Sequence, residues 1–178
     1  MNYRRVFVQN SCVHLIVTSY NREAIFIDNI EILRSAFKNT SKNYKFEIIA
    51  VCVLPEHIHM ILKPSNINEY PKIISSIKHY FSKNVGQVCP TYNEKIGYKN
   101  KREKCIFQRR YFEHTIIDED ELNIQINYIH YNPVKHNFAK SVKEWKYSSF
   151  HKFVKDKLYD ENWGSIKDIE SIKDLEIE

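Results

Sequence analysis

The run Val51-Cys52-Val53-Leu54-Pro55-Glu56-His57-Ile58-His59-Met60-Ile61-Leu62 constrains this chain more than any other stretch. It reads as two apolar strands joined by the short hairpin-like link Leu54-Pro55-Glu56. A strand sends alternate side chains to opposite faces. His57 and His59 therefore share one face, while Ile58, Met60 and Leu62 point the other way, into a core. Two neutral imidazoles on one face of a rigid strand are half a metal site. Neither histidine shares the face of Ile58 and Met60, so replacing one is expected to leave the fold largely intact.

The elements around this hairpin follow a recognisable order. Residues 11–18 alternate and are β-branched, which predicts a strand; residues 44–53 and 57–63 predict the second and third, and residues 111–117 a fourth. Phe26, Ile30, Leu33 and Phe37 fall on one face of a helix over 26–39. Tyr70, Ile73, Ile74, Ile77, Tyr80 and Phe81 mark a second amphipathic helix, and residues 118–131 a third. The result is β-α-β-β-α-β followed by a helix, an α+β fold of the ferredoxin-like (RRM-like) split type with an antiparallel sheet. The two crossover helices are expected on one sheet face, and the third helix on the other, over His57 and His59.

Charge and cysteine usage narrow the function. Residues 1–150 hold 22 basic and 14 acidic residues, a net charge of +8, and residues 151–178 form an acidic tail of −3. We read 1–150 as the working domain. A basic body favours a polyanionic partner. The tail is either a solubilising segment or a competitor for the same basic surface. Residues 86–107 form a polar insertion with Lys95, Lys99, Lys101, Arg102 and Lys104, followed by Arg109 and Arg110. It is either a solvated loop or a nucleic-acid contact. Cys12 and Cys52 lie inside strands and read as buried thiols, and Cys89 and Cys105 flank the insertion without a CxxC spacing. No apolar run approaches a membrane span and the N-terminus carries no signal-peptide pattern, so a cytoplasmic, nucleoid-associated protein is expected.

The third helix carries the second half of the chemistry, in Tyr128-Ile129-His130-Tyr131-Asn132-Pro133-Val134-Lys135. Asp118 suits its N-cap, with Glu119, Asp120 and Glu121 in the first turn. Leu122, Ile126 and Ile129 set a packed stripe. At about 100° per residue, Tyr128 lies about 120° and Asn132 about 80° from that stripe on the same side, and Gln125 shares their flank. Tyr131 points away from the stripe, and His130 lies about 160° from Asn132. Tyr128 thus suits a nucleophile beside a sheet-bound metal, or an ordinary boundary tyrosine. Asn132 is either a ligand through its amide oxygen or the N-cap of a new helix started by Pro133. His114 reads as structural. His14, His79 and His151 carry no signal.

These motifs resemble those of the HUH transposases. Leu54-Pro55-Glu56-His57-Ile58-His59-Met60-Ile61-Leu62 is similar to their histidine-hydrophobic-histidine motif, with Glu56 where many relatives have Asn. Phe107-Gln108-Arg109-Arg110-Tyr111-Phe112-Glu113-His114 resembles a second family block. Residues 128–136 resemble the tyrosine motif of the REP-associated tyrosine transposases, and Trp145-Lys146-Tyr147-Ser148-Ser149-Phe150 their post-catalytic segment. The resemblance spans about residues 3–165 in motif order. It implies a single-tyrosine transposase acting on hairpin-bearing single-stranded DNA with REP-like palindromes, as monomer or homodimer. By motif, His57 and His59 would be metal ligands, Asn132 the third, and Tyr128 the nucleophile. Mg²⁺ or Mn²⁺ suits such a set, and transesterification through a 5′-phosphotyrosine needs no nucleotide cofactor. A non-catalytic RNA or structured-DNA binding module on the same fold is the alternative.

Overall fold

The computed structural model describes residues 6–86, 106–165 and 168–170, with residues 172 and 175. Four strands, β1 (Cys12–Thr18), β2 (Phe46–Val53), β3 (His57–Pro64) and β4 (Phe112–Ile116), form one sheet in the order β2-β3-β1-β4. All three pairings are antiparallel. The helices α1 (Ile30–Thr40) and α2 (Tyr70–Asn84) are the crossovers, and α3 (Glu119–Lys135) follows β4. This is the expected split β-α-β-β-α-β architecture.

The sheet is buried on both faces, and the two faces differ in what covers them. Val13, Leu15 and Val17 of β1 and Ile58, Met60 and Leu62 of β3 pack against Leu33 and Ala36 of α1 and Ile73, Ile74, Ile77 and Phe81 of α2. Full burial of each large aliphatic side chain contributes about 1.5–3 kcal/mol, so this larger cluster is the main stabilising layer. Across the sheet, Cys12, Ala50, Cys52, Leu54, Ile61 and Ile116 meet Ile126 and Ile129 of α3. Cys12 and Cys52 are buried free thiols there, as their strand positions predict. Burial raises the Cys52 thiol far above its usual range and raises Cys12 as well.

Two helix boundaries depart from the sequence pattern for local reasons. Phe26 is wholly buried, yet α1 starts only at Ile30. The Phe26 amide donates to the Pro55 carbonyl (3.0 Å) and the Asn29 side chain donates to the Ile25 carbonyl (2.8 Å). Those bonds hold 25–29 as a turn against the β2–β3 hairpin. At the other end of the fold, α3 continues past Tyr131, through Pro133, to Lys135. Asp118 caps its N-terminus by accepting from the Glu121 amide at 2.7 Å, as expected.

The segment after α3 covers the C-terminal end of the outer edge of β2, at residues 51–53. The Val53 amide donates to the Tyr147 carbonyl (2.9 Å), and the Ser149 amide to the Val51 carbonyl (2.8 Å). The Trp145 indole donates to the Val53 carbonyl at 3.0 Å. A bare edge strand invites pairing with another chain; here its Val51–Val53 end is occupied. A short helix, α4 (Phe150–Lys155), then leads to Tyr159 and Trp163, whose rings stack at 4.7 Å. No helix among the described residues is long and apolar enough to cross a membrane.

Candidate active site at the seam between the sheet and α3

Strand register places a row of histidines under α3. On β3 these are His57 and His59, opposite Thr18 and Ile16 of β1. His14 of β1 lies on the same face and pairs with His114 of β4. The row therefore crosses β3, β1 and β4, three adjacent strands.

α3 answers with a polar stripe of its own, residues 121, 125, 128 and 132, spaced one turn apart on one flank. Glu121 Oε1 lies 2.5 Å from His114 Nε2. Gln125 Oε1 lies 2.7 Å from His14 Nδ1. The Tyr128 ring lies 5.7 Å from the His59 ring and 6.3 Å from that of His14, edge-on to both. Asn132 follows one turn later, wholly buried. The adjacent stripe, Ile126 and Ile129 with Leu122 at its margin, fixes the helix to the apolar part of the sheet. α3 is thus seated by one stripe and presents chemistry with its neighbour.

His57 and His59 sit edge to face, ring centroids 4.9 Å apart. Glu56 Oε1 lies 3.2 Å from His57 Nδ1 and 3.9 Å from the Arg22 guanidinium. His59 Nδ1 lies 3.4 Å from His14 Nε2. The His136 ring packs 5.0 Å from that of His57. Both β3 histidines are buried between the sheet and α3. Neither histidine faces the larger core, as expected, but the face they occupy is a second packed interface, so truncating either should leave a cavity there.

Tyr128 is 2% exposed, and the Lys135 ammonium donates to its hydroxyl at 3.0 Å while lying 4.6 Å from its ring centroid. The same ammonium donates to the Leu175 carbonyl (3.1 Å), which brings Leu175 to the Tyr128 side of α3. The N-cap alternative for Asn132 fails, because α3 runs unbroken through it and its carbonyl accepts from the His136 amide (3.0 Å). Tyr131 is half-buried, outside the 121–132 stripe. His130 faces away from the site, as its helical position predicts. It accepts or donates at the Ser149 hydroxyl (2.8 Å) among Phe150, Phe153 and Tyr159, and burial, aided by nearby His151, lowers its pKa to about 3.

Of the expected DNA contacts, Arg109 and Arg110 are exposed on the stretch entering β4. The preceding Gln108 amide donates to the Thr18 carbonyl (2.9 Å), and Thr18 is the register partner of His57. Both arginines therefore lie at the histidine end of the sheet. Lys95, Lys99, Lys101, Arg102, Lys104, Cys89 and Cys105 lie outside the described residues. Sequence reasoning gave no role to His14, Lys135 or His136, and placed Gln125 on the right flank without a partner. Lys135 was findable as the residue two turns beyond Tyr128 on the same side of the helix.

A family model described as "Transposase IS200 like" matches residues 7–132, from just before β1 to Asn132. The chain belongs to the REP-associated tyrosine transposases, within the IS200-like transposase family. The transposase is 38% identical over 176 residues to a Haemophilus influenzae protein that bears the provisional name REP-associated tyrosine transposase, covering 98% of this chain and 99% of the relative. It is 31% identical over 169 residues to the REP-associated tyrosine transposase of Escherichia coli K12, covering 93% of each. Its fold matches a solved REP-associated tyrosine transposase bound to a REP hairpin, with a TM-score of 0.83 at 27% identity, over 99% of this chain and 96% of that one. The ferredoxin-like core, α3 and the edge-covering segment of this transposase are thus parts of one family fold.

Proposed function

We propose that this transposase cleaves and rejoins hairpin-bearing single-stranded DNA through a 5′-phosphotyrosine on Tyr128, with Mg²⁺ or Mn²⁺ held by His57, His59 and Asn132. The observation that carries the reading is the packing of the Tyr128 ring against His59, which puts a phenol and two imidazoles at one buried seam. The solved relative is bound to a REP hairpin, which supports the same class of partner for this chain.

The donor set fits a hard or borderline divalent cation. Among the described residues, no three His, Cys, Asp or Glu side chains come together to hold an ion. The Asn132 amide oxygen would complete the set beside the two imidazoles. Two nitrogens and one oxygen leave positions open for phosphate and water. The Glu56 carboxylate beside His57 Nδ1 is the outer partner that ligating histidines commonly keep. A bound ion would supply Lewis-acid polarisation of the scissile phosphate and neutralise its charge.

The remaining work falls to the chain's own groups. Tyr128 Oη forms a bond to phosphorus and the bond from phosphorus to the 3′-side oxygen breaks. The proton lost by the phenol is matched by one gained at the departing 3′-hydroxyl. The Lys135 ammonium, already on Oη, stabilises the phenoxide as it forms. Return of a 3′-hydroxyl reverses the step and joins strands, with the number of phosphoester bonds conserved.

The test is incubation of end-labelled, hairpin-bearing single-stranded DNA with the protein and Mg²⁺ or Mn²⁺, followed by denaturing gels and mass spectrometry of the adduct. A nucleotide on Tyr128, absent in Tyr128→Phe and present in Tyr131→Phe, is expected. Binding without any covalent product would leave a non-catalytic hairpin-binding module instead, and an adduct on Tyr131 would overturn the assignment of the nucleophile.

A further inference from the structure

We propose that His14 and Gln125 are positioning residues that set the tautomer of His59, so that its Nε2 carries a lone pair. The inference rests on the metal-ligand reading of His59 given above and deepens it.

The chain of bonds has a direction. Gln125 Oε1 is a carbonyl oxygen and can only accept, so at 2.7 Å it takes a proton held on His14 Nδ1. His14 is wholly buried, and a charged imidazole is costly in such a place. As a neutral ring with its proton on Nδ1, it has a lone pair on Nε2. That lone pair faces His59 Nδ1 at 3.4 Å and accepts its proton. A neutral His59 protonated on Nδ1 has its own lone pair on Nε2, the form that binds a cation.

The reverse setting would be disabling. With the Gln125 amide group turned to donate, His14 would carry its proton on Nε2 and His59 would accept at Nδ1. Its proton would then sit on Nε2, where it blocks ligation. The carboxamide orientation of one α3 residue thus reaches His59 through a β1 histidine. His57 reaches the same tautomer by a shorter route, since the Glu56 carboxylate can only accept from Nδ1, at 3.2 Å. Two different outer partners, one carboxylate and one imidazole–amide pair, impose the same protonation on both ligands.

The experiment uses the full chain. In the metal-free wild type, long-range ¹H–¹⁵N spectra of the imidazoles are expected to show His14, His57 and His59 protonated on Nδ1. His14→Phe fills the space but removes the acceptor, and Mn²⁺ affinity measured by calorimetry should weaken about 10- to 100-fold, the range for losing an outer partner. His14→Gln offers a carbonyl oxygen to His59 Nδ1 and should stay within a few-fold of wild type. Unchanged Mn²⁺ affinity in His14→Phe, or a proton on His59 Nε2 in the wild-type spectra, would overturn the proposal. Absence of Mn²⁺ binding by the wild type would instead overturn the metal reading, and the metal-free spectra would still decide the tautomer. They decide it equally if His14→Phe fails to fold.

Discussion

Lys135 donates to the Tyr128 hydroxyl from two turns further along the same helix, at 3.0 Å. A charge-assisted hydrogen bond of this kind contributes about 1.5–3 kcal/mol. If that contribution is made mainly to the phenoxide-like transition state, Lys135→Met should lower the rate of adduct formation roughly 10- to 100-fold. Thermal unfolding should change little, because Lys135 is exposed apart from its contacts. Single-turnover cleavage kinetics against hairpin DNA measure it, and a wild-type rate would remove Lys135 from the chemistry.

Asn132 gives a separate handle on the ion. Asn132→Leu should weaken Mn²⁺ binding by at least about 10-fold, since even outer partners contribute that much. Asn132→Asp places a carboxylate in a wholly buried position. Without an ion that charge is costly; with one it is a stronger ligand. The melting temperature of Asn132→Asp should therefore fall below wild type in chelator and rise more steeply on adding Mn²⁺. Parallel melting curves for the two proteins across a Mn²⁺ titration would speak against Asn132 as a ligand.

Arg109 and Arg110 are exposed beside the histidine end of the sheet. Each phosphate contact on a single strand contributes about 0.7 to the slope of log affinity against log salt. Arg109→Gln with Arg110→Gln should lower that slope by up to about 1.4 and weaken binding to hairpins of different sequence alike. Fluorescence anisotropy at several salt concentrations reads it directly, and an unaltered slope would place the phosphates elsewhere.

His130 makes stability depend on pH. Its folded pKa, about 3, lies below the ordinary histidine value of 6.5, because burial and His151 oppose its charge. Between those values the unfolded chain binds a proton that the folded chain does not, so stability rises with pH through that window. The contribution is complete above about pH 6.5 and is lost as pH falls towards 3. His130→Gln, which can still reach Ser149, should lower the slope of unfolding free energy between pH 6 and 4. Urea unfolding at matched pH values tests this, and an unchanged slope would contradict it.

The parts of this molecule written locally were legible in the chain. The parity of His57 and His59, the cap at Asp118 and the flank shared by Tyr128 and Asn132 each need only neighbouring residues and a known period. His14 was silent for a physical reason. β1 is buried on both faces, so alternation carries no polar contrast there. Its meaning comes from Gln125, 111 residues away, and from His59 on the next strand. Lys135 looked like the ordinary basic residue of a last helical turn. The early start assigned to α1 failed at Phe26, where a bond to Pro55 outweighs helical periodicity.

The polar stripe of α3 meets the sheet one strand at a time: Glu121 on β4, Gln125 on β1, Tyr128 on β3. Steps of three or four residues along a helix advance about 4.5–6 Å, and neighbouring strands lie about 4.8 Å apart. Helix and sheet therefore mesh like a rack and pinion of matched pitch. One residue inserted between Glu121 and Asn132 would turn the later partners by about 100° and unmesh them. Four inserted residues would nearly restore the facing but move each later partner one strand along, delivering Tyr128 to the wrong tooth. Length variation in this transposase should therefore gather in the loops and stay out of α3.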